Sequence, residues 1–237
     1  MQKNNFIVFG NKKIPYGCKD FKICIDGVKI GQVDHTKFLG VYIDEKLNWH
    51  KHIAHVCRKL ASSIGIINRA KSILPLQLLR NLYFSMIYPY LTYCNVIWGG
   101  ASMNATRGII TLQKRAIRII TGSPYLTRTS PIFARLQLLK FVDIRRTQTI
   151  KLMFKFKFNL LPEACKDFFK FSNPIRRYEI RKSDCFVVPF SRSEVRKKSI
   201  NVYGPELWNA LPTDLHNATS LATLMQTLTN FKVFEYI

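Results

Sequence analysis

Acidic residues are missing from the middle of the chain. Between Lys46 and Val142 there is no Asp or Glu, while fourteen Lys and Arg are spread along the same stretch. An ordinary solvated helix mixes the two signs, because i to i+4 pairs of opposite charge stabilise it and like pairs weaken it slightly. The missing counter-charge therefore predicts a polyanionic partner for this region, and nucleic acid is the leading class.

Paired cysteines are also lacking. The six Cys are scattered, no CxxC pair occurs, and no secretory leader follows MQKNNF, so we expect reduced thiols and a nuclear or cytoplasmic location. Three His lie close together in the sequence, at 50, 52 and 55. On a helix His50 points away from the other two, and no Cys or acid stands near enough to complete a ligand set, so we predict no metal site in this chain.

A long, purely apolar run is the third absence. The stretch from Asn81 to Thr106 carries no charge and is long enough to cross a bilayer. Its many Tyr, Ser, Thr and Asn side chains, together with Pro89, would put polar groups and a helix breaker at membrane depth. A buried helix followed by a turn at Gly99-Gly100 is the better prediction, and we expect no membrane partner.

The composition that remains favours a folded, strongly basic protein. Of the 237 residues, 47% are hydrophobic, which is ample for a packed core, and the formal net charge is +23 with a pI near 10.0. Anionic lipid is the weaker alternative to RNA or DNA. A lipid-binding helix would leave a wide apolar face for the bilayer, whereas the apolar stripes here are narrow enough to be used up by a protein core.

Two predicted helices place cations opposite an apolar stripe. Between Trp49 and Arg69 the polar side carries Lys51, Arg58 and Arg69; between Arg107 and Thr121 it carries Arg107, Lys114 and Arg118, with Arg115 beside them. A solvated surface is the alternative interpretation of either face taken alone. Two neighbouring helices with the same acid-free design favour contact with phosphates, and because the cations project away from the apolar residues we expect that they can be changed without touching the core.

The first segment predicts β-structure. In FKICIDGVKI, Asp26-Gly27 suits a type I′ turn, with Lys22 to Ile25 pairing antiparallel to Val28 to Ile30. Lys37 to Ile43 is β-branched and aromatic enough to be a third strand of the same small sheet. Asp44 and Glu45 then turn the chain into the first basic helix, where we expect them to act as capping groups, and Asn48 is the predicted N-cap.

The rest of the chain predicts helices, so the fold class is α+β. A second helix runs from Pro75 to Tyr88, the helix at 107–121 is stopped by Gly122-Ser-Pro124, and a further helix covers Asp143 to Leu160. We expect three consecutive regions: a small antiparallel sheet at 1–45, a helical bundle at 46–124, and a mixed, mostly helical region at 125–237.

Four segments, in this order, resemble one protein family. They are FLGVYIDEKLNWHKHI, LYFSMIYPYLTYCNVIWG, LQKRAIRIITG and GPELWNALP. Together they resemble the C-terminal part of reverse transcriptases from non-LTR (LINE-type, jockey-like) retrotransposons. The resemblance covers nearly the whole chain and rests on the order and spacing of the four segments, since none is decisive alone.

The resemblance implies roles for individual segments. Phe38-Leu39-Gly40 match the FLG box of the primer grip, where the palm sheet passes into the thumb, although FLG in a strand is also ordinary sheet packing. The basic helices match the thumb, which holds primer–template duplex mostly by its backbone. The GPELWNALP box implies a structural turn that packs Trp208 into the core.

The catalytic box of the family, written YADD or FADD, is absent from this sequence. Two-metal phosphoryl transfer needs such carboxylates, so we expect no Mg²⁺ site in this chain and no polymerisation by it alone. The expectation is a fragment of an RNA-directed DNA polymerase, in which Mg²⁺ is bound by an upstream palm segment and that remainder is a partner. The alternative is a non-catalytic basic module, domesticated or decayed, that binds nucleic acid.

Overall fold

The computed structural model describes residues 4–10, 23–172 and 185–230. Spatial contacts divide the chain into two compact units: unit 1 contains Met1–Tyr90 and Ala101–Thr129, and unit 2 contains Leu91–Gly100 and Ser130–Ile237. The three consecutive regions 1–45, 46–124 and 125–237 stay a prediction. The α+β class is confirmed, with short strands in unit 1 and helices through most of the rest.

The strands of unit 1 pair two by two. Strand β1 (Asn5–Phe6) is parallel to β4 (Gly31–Gln32), and β2 (Cys24–Ile25) is antiparallel to β3 (Val28–Lys29). The turn between β2 and β3 has positive φ at both Asp26 (50°) and Gly27 (75°), as a type I′ turn requires, so the predicted hairpin is confirmed; Lys22 lies outside the described residues.

The predicted third strand, Lys37 to Ile43, is wrong. The segment is a second hairpin, β5 (His35–Phe38) antiparallel to β6 (Val41–Asp44), with Phe38 opposite Val41. Leu39 and Gly40 form its two-residue turn, at φ 44° and 84°. Leu rarely adopts positive φ, so a β-prone run with only one glycine does not predict a turn here. The tertiary structure overrides this conformational preference of Leu.

Asp44 joins the second hairpin to the first helix. Its carboxylate accepts backbone N–H groups from Lys46, Asn48 and Trp49, at 3.2, 3.0 and 2.8 Å. The predicted capping role of Asp44 is therefore confirmed. The predicted N-cap is off by one residue: Trp49 occupies that position, while the side-chain oxygen of Asn48 accepts the N–H of His50.

Three helices build the core of unit 1: α1 (His50–Ala70), α2 (Leu76–Met86) and α5 (Met103–Ile120). Leu60, Ile67 and Ile109 are fully buried among them. Helix α5 starts one turn before the predicted Arg107, because the Ser102 hydroxyl accepts the N–H of Ala105 and caps it.

Unit 2 is helical in its described part. It contains α4 (Asn95–Trp98), which follows α3 (Tyr88–Thr92), and then α6 (Ser130–Leu136) and α7 (Phe141–Lys157). A 3₁₀ turn at Glu163–Cys165 precedes the remaining helices, which are α8 (Glu194–Lys197), α9 (Ile200–Asn209), α10 (Thr213–His216) and α11 (Leu221–Asn230). The predicted helix from Asp143 to Leu160 is confirmed with a shift of two to three residues, and the Gly99-Gly100 turn is present.

Aromatic side chains fill the core of unit 2. Trp208 is 1% exposed and lies edge-on to Phe186, so its predicted burial is confirmed. Its segment is not a turn, however: GPELWN lies within α9, with Pro205 inside the helix, and the chain turns only at Leu211-Pro212. Within the described part of the chain no helix is both long enough and apolar enough to cross a membrane.

Candidate nucleic-acid interface

Helices α1 and α5 run side by side in the same direction. Gly108, near the start of α5, approaches Cys57 so closely that a Cβ on the glycine would lie 3.2 Å from the Cys57 sulfur. At the other end, Asn68 of α1 and Ile119 of α5 line one cleft. The two helices therefore present their cations over the same length of surface.

The buried face of α5 differs from the one that helical periodicity predicts. Periodicity puts Ile109, Leu112, Ala116, Ile119 and Ile120 on one face, whereas the buried face centres on Ile109, Gln113, Ala116 and Ile120, and Leu112 and Ile119 are only half-buried. Gln113 is 2% exposed and donates its side-chain N–H to the Tyr83 hydroxyl at 2.8 Å. Burial raises the pKa of Tyr83 to about 12, so the phenol stays neutral and can accept this bond.

On α1, Lys51, Arg58 and Arg69 are all exposed, on the side of the helix opposite the buried stripe. Lys51 lies near Asp34, whose pKa is lowered first by its hydrogen bond to His35 and, more weakly, by the charge of Lys51. Arg58 and Arg69 have no ion-pair or hydrogen-bond partner within the part of the chain that the structure describes. Their charges are thus left for solvent or a ligand.

On α5, Arg107, Lys114 and Arg115 are exposed and likewise have no such partner among the described residues. Arg118 is different. It is half-buried, and its Nε and Nη2 donate to the backbone carbonyl of Thr127 at 3.1 and 3.0 Å. The prediction that Arg118 can be changed without structural effect is therefore wrong, because its guanidinium fastens the loop after α5. Binding of nucleic acid by any of these side chains stays a prediction.

Burial and the positive charges of this surface lower the pKa of His55, which lies among these charges. Burial and the nearby charges of Arg58, Lys59 and Lys37 all lower its pKa. Its neighbour His52 is buried at 3% exposure and accepts the N–H of Tyr42 at 3.4 Å. Burial, and then the charge of His55, lower the pKa of His52 to about 4, so it is a neutral link between the second hairpin and α1. No cluster of three metal-ligating side chains occurs among the described residues.

The FLG segment lies at the end of a two-stranded sheet: Phe38 is the last residue of β5, and Leu39 and Gly40 form the turn. Phe38 is 61% exposed and Leu39 75% exposed, and both project at the tip of the hairpin β5–β6. Below the tip, Tyr42 contacts His55 of α1, with ring centroids 5.2 Å apart. The hairpin that carries Phe38, Leu39 and Gly40 thus packs on the basic helix through Tyr42, which pairs with Lys37 just below the tip.

A basic cleft lies where α1 and α5 end. It has a volume of about 310 Å³ and is lined by Asn68, Lys71, Arg115, Arg118, Ile119, Gly122, Ser123 and Tyr125. We call it the helix-end cleft. Sequence reasoning missed Lys71 and Tyr125, because Lys71 follows α1 and Tyr125 lies in a loop whose position depends on Arg118. The only local signal was an aromatic residue directly after the helix stop Gly122-Ser-Pro124.

Sequence comparisons find similar proteins among mobile elements of Drosophila melanogaster. The chain is 30% identical over 118 residues to a probable RNA-directed DNA polymerase from transposon BS. It is 26% identical over 126 residues to a probable RNA-directed DNA polymerase from transposon X-element, and 26% identical over 145 residues to an RNA-directed DNA polymerase from mobile element jockey. No protein-family model matches the chain, and no solved structure matches it.

The three matches cover 48%, 51% and 60% of this chain. They cover only 13%, 14% and 16% of the lengths of the relatives, so the matched segment is a small part of each of those proteins. About half of the chain or slightly more is thus similar to RNA-directed DNA polymerases of Drosophila mobile elements, and the resemblance to reverse transcriptases of non-LTR, jockey-like retrotransposons is confirmed.

Proposed function

We propose that this chain is a portion of a non-LTR retrotransposon reverse transcriptase in which α1 and α5 bind the backbone of RNA or of an RNA–DNA primer–template. The observation that carries the proposal is a set of exposed cations that have no partner among the described residues and lie on two parallel helices that contain no acid. Arg58, Arg69, Arg107, Lys114 and Arg115 form this set, which we call the free cations. Phosphates along a duplex would supply the charge that the protein does not.

The surface between these cations is also suited to a bulky polyanion. Ala54, Ala61 and Gly65 are exposed on α1 near the side that faces α5, and space is open above Gly65. Short side chains there let a nucleic-acid backbone approach while the long arginines reach around it. Contacts of this kind fix position and orientation without reading sequence, so we expect little sequence preference.

We further propose that the chain binds primer–template without extending it. Transfer by two metal ions needs carboxylates that hold the cations a few Å apart. Asp44, one of the few acids near the basic helices, is already occupied by three backbone N–H groups, and Glu45 lies 3.8 Å from the ammonium group of Lys46. Mg²⁺ would then be held by a separate palm segment, which is the protein partner of this proposal.

The experiment is a salt titration of binding to an RNA–DNA duplex. Replacing Arg58, Arg107 and Lys114 by Gln should lower the slope of log affinity against log salt by about 0.7 to 0.9 per lost phosphate contact. A matched control replaces Lys166, Lys170 and Lys197 of unit 2 by Gln, which removes the same charge from exposed positions elsewhere. Lys166 and Lys197 are paired with Glu163 and Glu194, so we expect the control slope to stay near that of the wild type.

Equal slopes for the two triple variants would contradict the proposal, since net charge alone would then explain the binding.

The alternative function is that of a stand-alone basic module, which would make the same duplex contact without being part of a polymerase. Sequencing the genomic DNA across and upstream of Met1 separates the two: a continuous frame with an Asp-Asp strand supports the polymerase, whereas a separate promoter and introns support the module. Template-dependent primer extension by the purified chain would contradict both.

A further inference from the structure

The helix-end cleft differs from the rest of the basic surface because it is concave and carries an aromatic side chain. Lys71 and Arg115, exposed and with no partner among the described residues, line it together with Ser123. Tyr125 is 79% exposed. The other four free cations, Arg58, Arg69, Arg107 and Lys114, project by contrast from convex helix surfaces and do not line the cleft.

The cleft is a built feature of the fold. Helix α5 ends in a Schellman motif: Gly122 has φ 64°, and the N–H of Ser123 donates to the carbonyl of Arg118 at 2.9 Å. The Ser123 hydroxyl bonds that of Thr121 at 2.8 Å. These bonds turn the chain back beside α5, so that Tyr125 is presented over the cleft.

Arg118 holds the other side of this loop. Its guanidinium donates two N–H groups to the carbonyl of Thr127, and it also lies 5.6 Å from the centre of the Tyr125 ring. One face of that ring is thus supported by a fixed cation while most of the ring stays open to solvent. The open part of the ring is available for a flat ligand to stack on.

We infer that the helix-end cleft binds an unpaired nucleotide at the end of a duplex, with a phosphate held by Lys71 and Arg115 and its base stacked on Tyr125. The inference rests on the proposed duplex contact and specifies the strand that the cleft accepts. Bases within a duplex are already stacked on their neighbours and cannot use an aromatic side chain, whereas unpaired bases routinely stack on Tyr. A cavity of about 310 Å³ is of the size that a nucleotide needs rather than a helix.

The test compares two probes that differ only in an unpaired end. One is a blunt RNA–DNA duplex, and the other is the same duplex with a three-nucleotide single-stranded overhang. We expect the wild type to bind the overhang duplex at least ~5-fold more tightly at one salt concentration, given the usual effect of one stacked base. Tyr125→Ala should abolish this preference and leave binding to the blunt duplex within about twofold. Tyr125→Phe, which keeps the ring, should preserve it.

Two further variants complete the design. Leu126→Ala removes an 89% exposed side chain from the same loop and should behave as wild type, while Lys71→Gln should reduce the preference and leave the blunt duplex nearly unchanged. Circular dichroism confirms that each variant is folded. Equal wild-type affinity for the two probes, or equal weakening of both by Tyr125→Ala, overturns this inference while salt-dependent duplex binding still supports the proposed function. Failure of the wild type to bind either probe overturns the proposed function itself.

Discussion

The two units of this chain use their positive charges in different ways. In unit 1 the free cations of α1 and α5 touch no acid and no carbonyl within the described residues. In unit 2 the cations of α7 take part in packing: Arg145 lies 3.9 Å from the centre of the Tyr203 ring, and the ammonium group of Lys157 donates to the carbonyl of His216 at 3.0 Å. These cations of unit 2 thus have a structural role, whereas the free cations of unit 1 have none within the described residues.

This difference follows from the surroundings of each helix. Helix α5 has one buried face and one open face, so its cations project into solvent. Helix α7 has buried residues on all sides, including Phe141, Thr149 and Phe156, so its long side chains must run between other elements and find partners there. Positive charge in the sequence is therefore available to a ligand only where packing leaves the charged group without a partner in the fold.

Among substitutions that test this difference between the two units, we expect the largest loss of stability for Arg145. The Nη2 atom of Arg145 donates to the carbonyl of Lys198 at 2.9 Å and packs against Gly100. Its guanidinium also stacks on the ring of Tyr203. Arg145→Gln should lower the free energy of unfolding by about 3 kcal/mol, from one charge-assisted hydrogen bond and one close cation–π contact. Urea denaturation measures it.

The control for Arg145 is Arg135→Gln, which changes an exposed arginine of the same unit and should alter stability by less than about 0.5 kcal/mol. Equal effects of the two substitutions would remove the distinction between structural and free cations in unit 2. The Nε of Arg145 has no partner among the described residues, and this keeps the expected loss below that of a fully bonded buried arginine.

A smaller effect concerns His52, a buried and neutral histidine of unit 1. The pKa of His52 is about 4 in the fold, against about 6.5 in an unfolded chain. Between these values the unfolded chain binds more protons, so stability must fall as the pH falls. We expect a loss of about 2 kcal/mol between pH 7.5 and 5.

The variant His52→Gln keeps an acceptor for the Tyr42 N–H but does not titrate, so the loss should be smaller by that amount. Urea denaturation at the two pH values gives the comparison, with the wild type and the variant measured in the same buffers at equal ionic strength. If the two proteins lose stability in parallel, a protonated His52 is tolerated and the core of unit 1 accepts charge after all.

Local signals in the sequence predicted most helices and one hairpin. The pair Asp26-Gly27 predicts its turn, and Gly122 predicts the end of α5, because the backbone at these residues needs positive φ. Leu39-Gly40 carries no comparable signal at its first position, so that hairpin was missed. As a result, the FLG segment is predicted to lie inside a strand, whereas in the structure it lies at the exposed tip of a hairpin.

The candidate site was predictable only in part, for a physical reason. Helical periodicity shows which residues share a face, and it placed the exposed cations on the open sides of α1 and α5. It cannot show long-range partners. The bond from Gln113 to Tyr83 and the bond from Arg118 to Thr127 both depend on where another segment packs, and the second helps to hold the loop of the helix-end cleft.

The smallest effects come from two cations of one helix, and they test the comparison most closely. Lys114 and Arg118 stand one turn apart on α5 and would repel each other slightly. Lys114 is exposed and has no partner among the described residues, so Lys114→Gln should leave the free energy of unfolding within about 0.5 kcal/mol of the wild type or raise it a little. Arg118→Gln should lower it by about 1 kcal/mol, because the loop at Thr127 loses a two-donor contact.

The conservative change Arg118→Lys separates charge from geometry. Lysine keeps the positive charge, but its compact ammonium group cannot reproduce the two parallel N–H groups that reach the Thr127 carbonyl. We therefore expect Arg118→Lys to be nearly as unstable as Arg118→Gln in thermal and urea denaturation, although its net charge equals that of the wild type. Wild-type stability of Arg118→Lys would mean that the loop is held by charge alone, and Arg118 would then rank with Lys114 among the cations that the fold does not need.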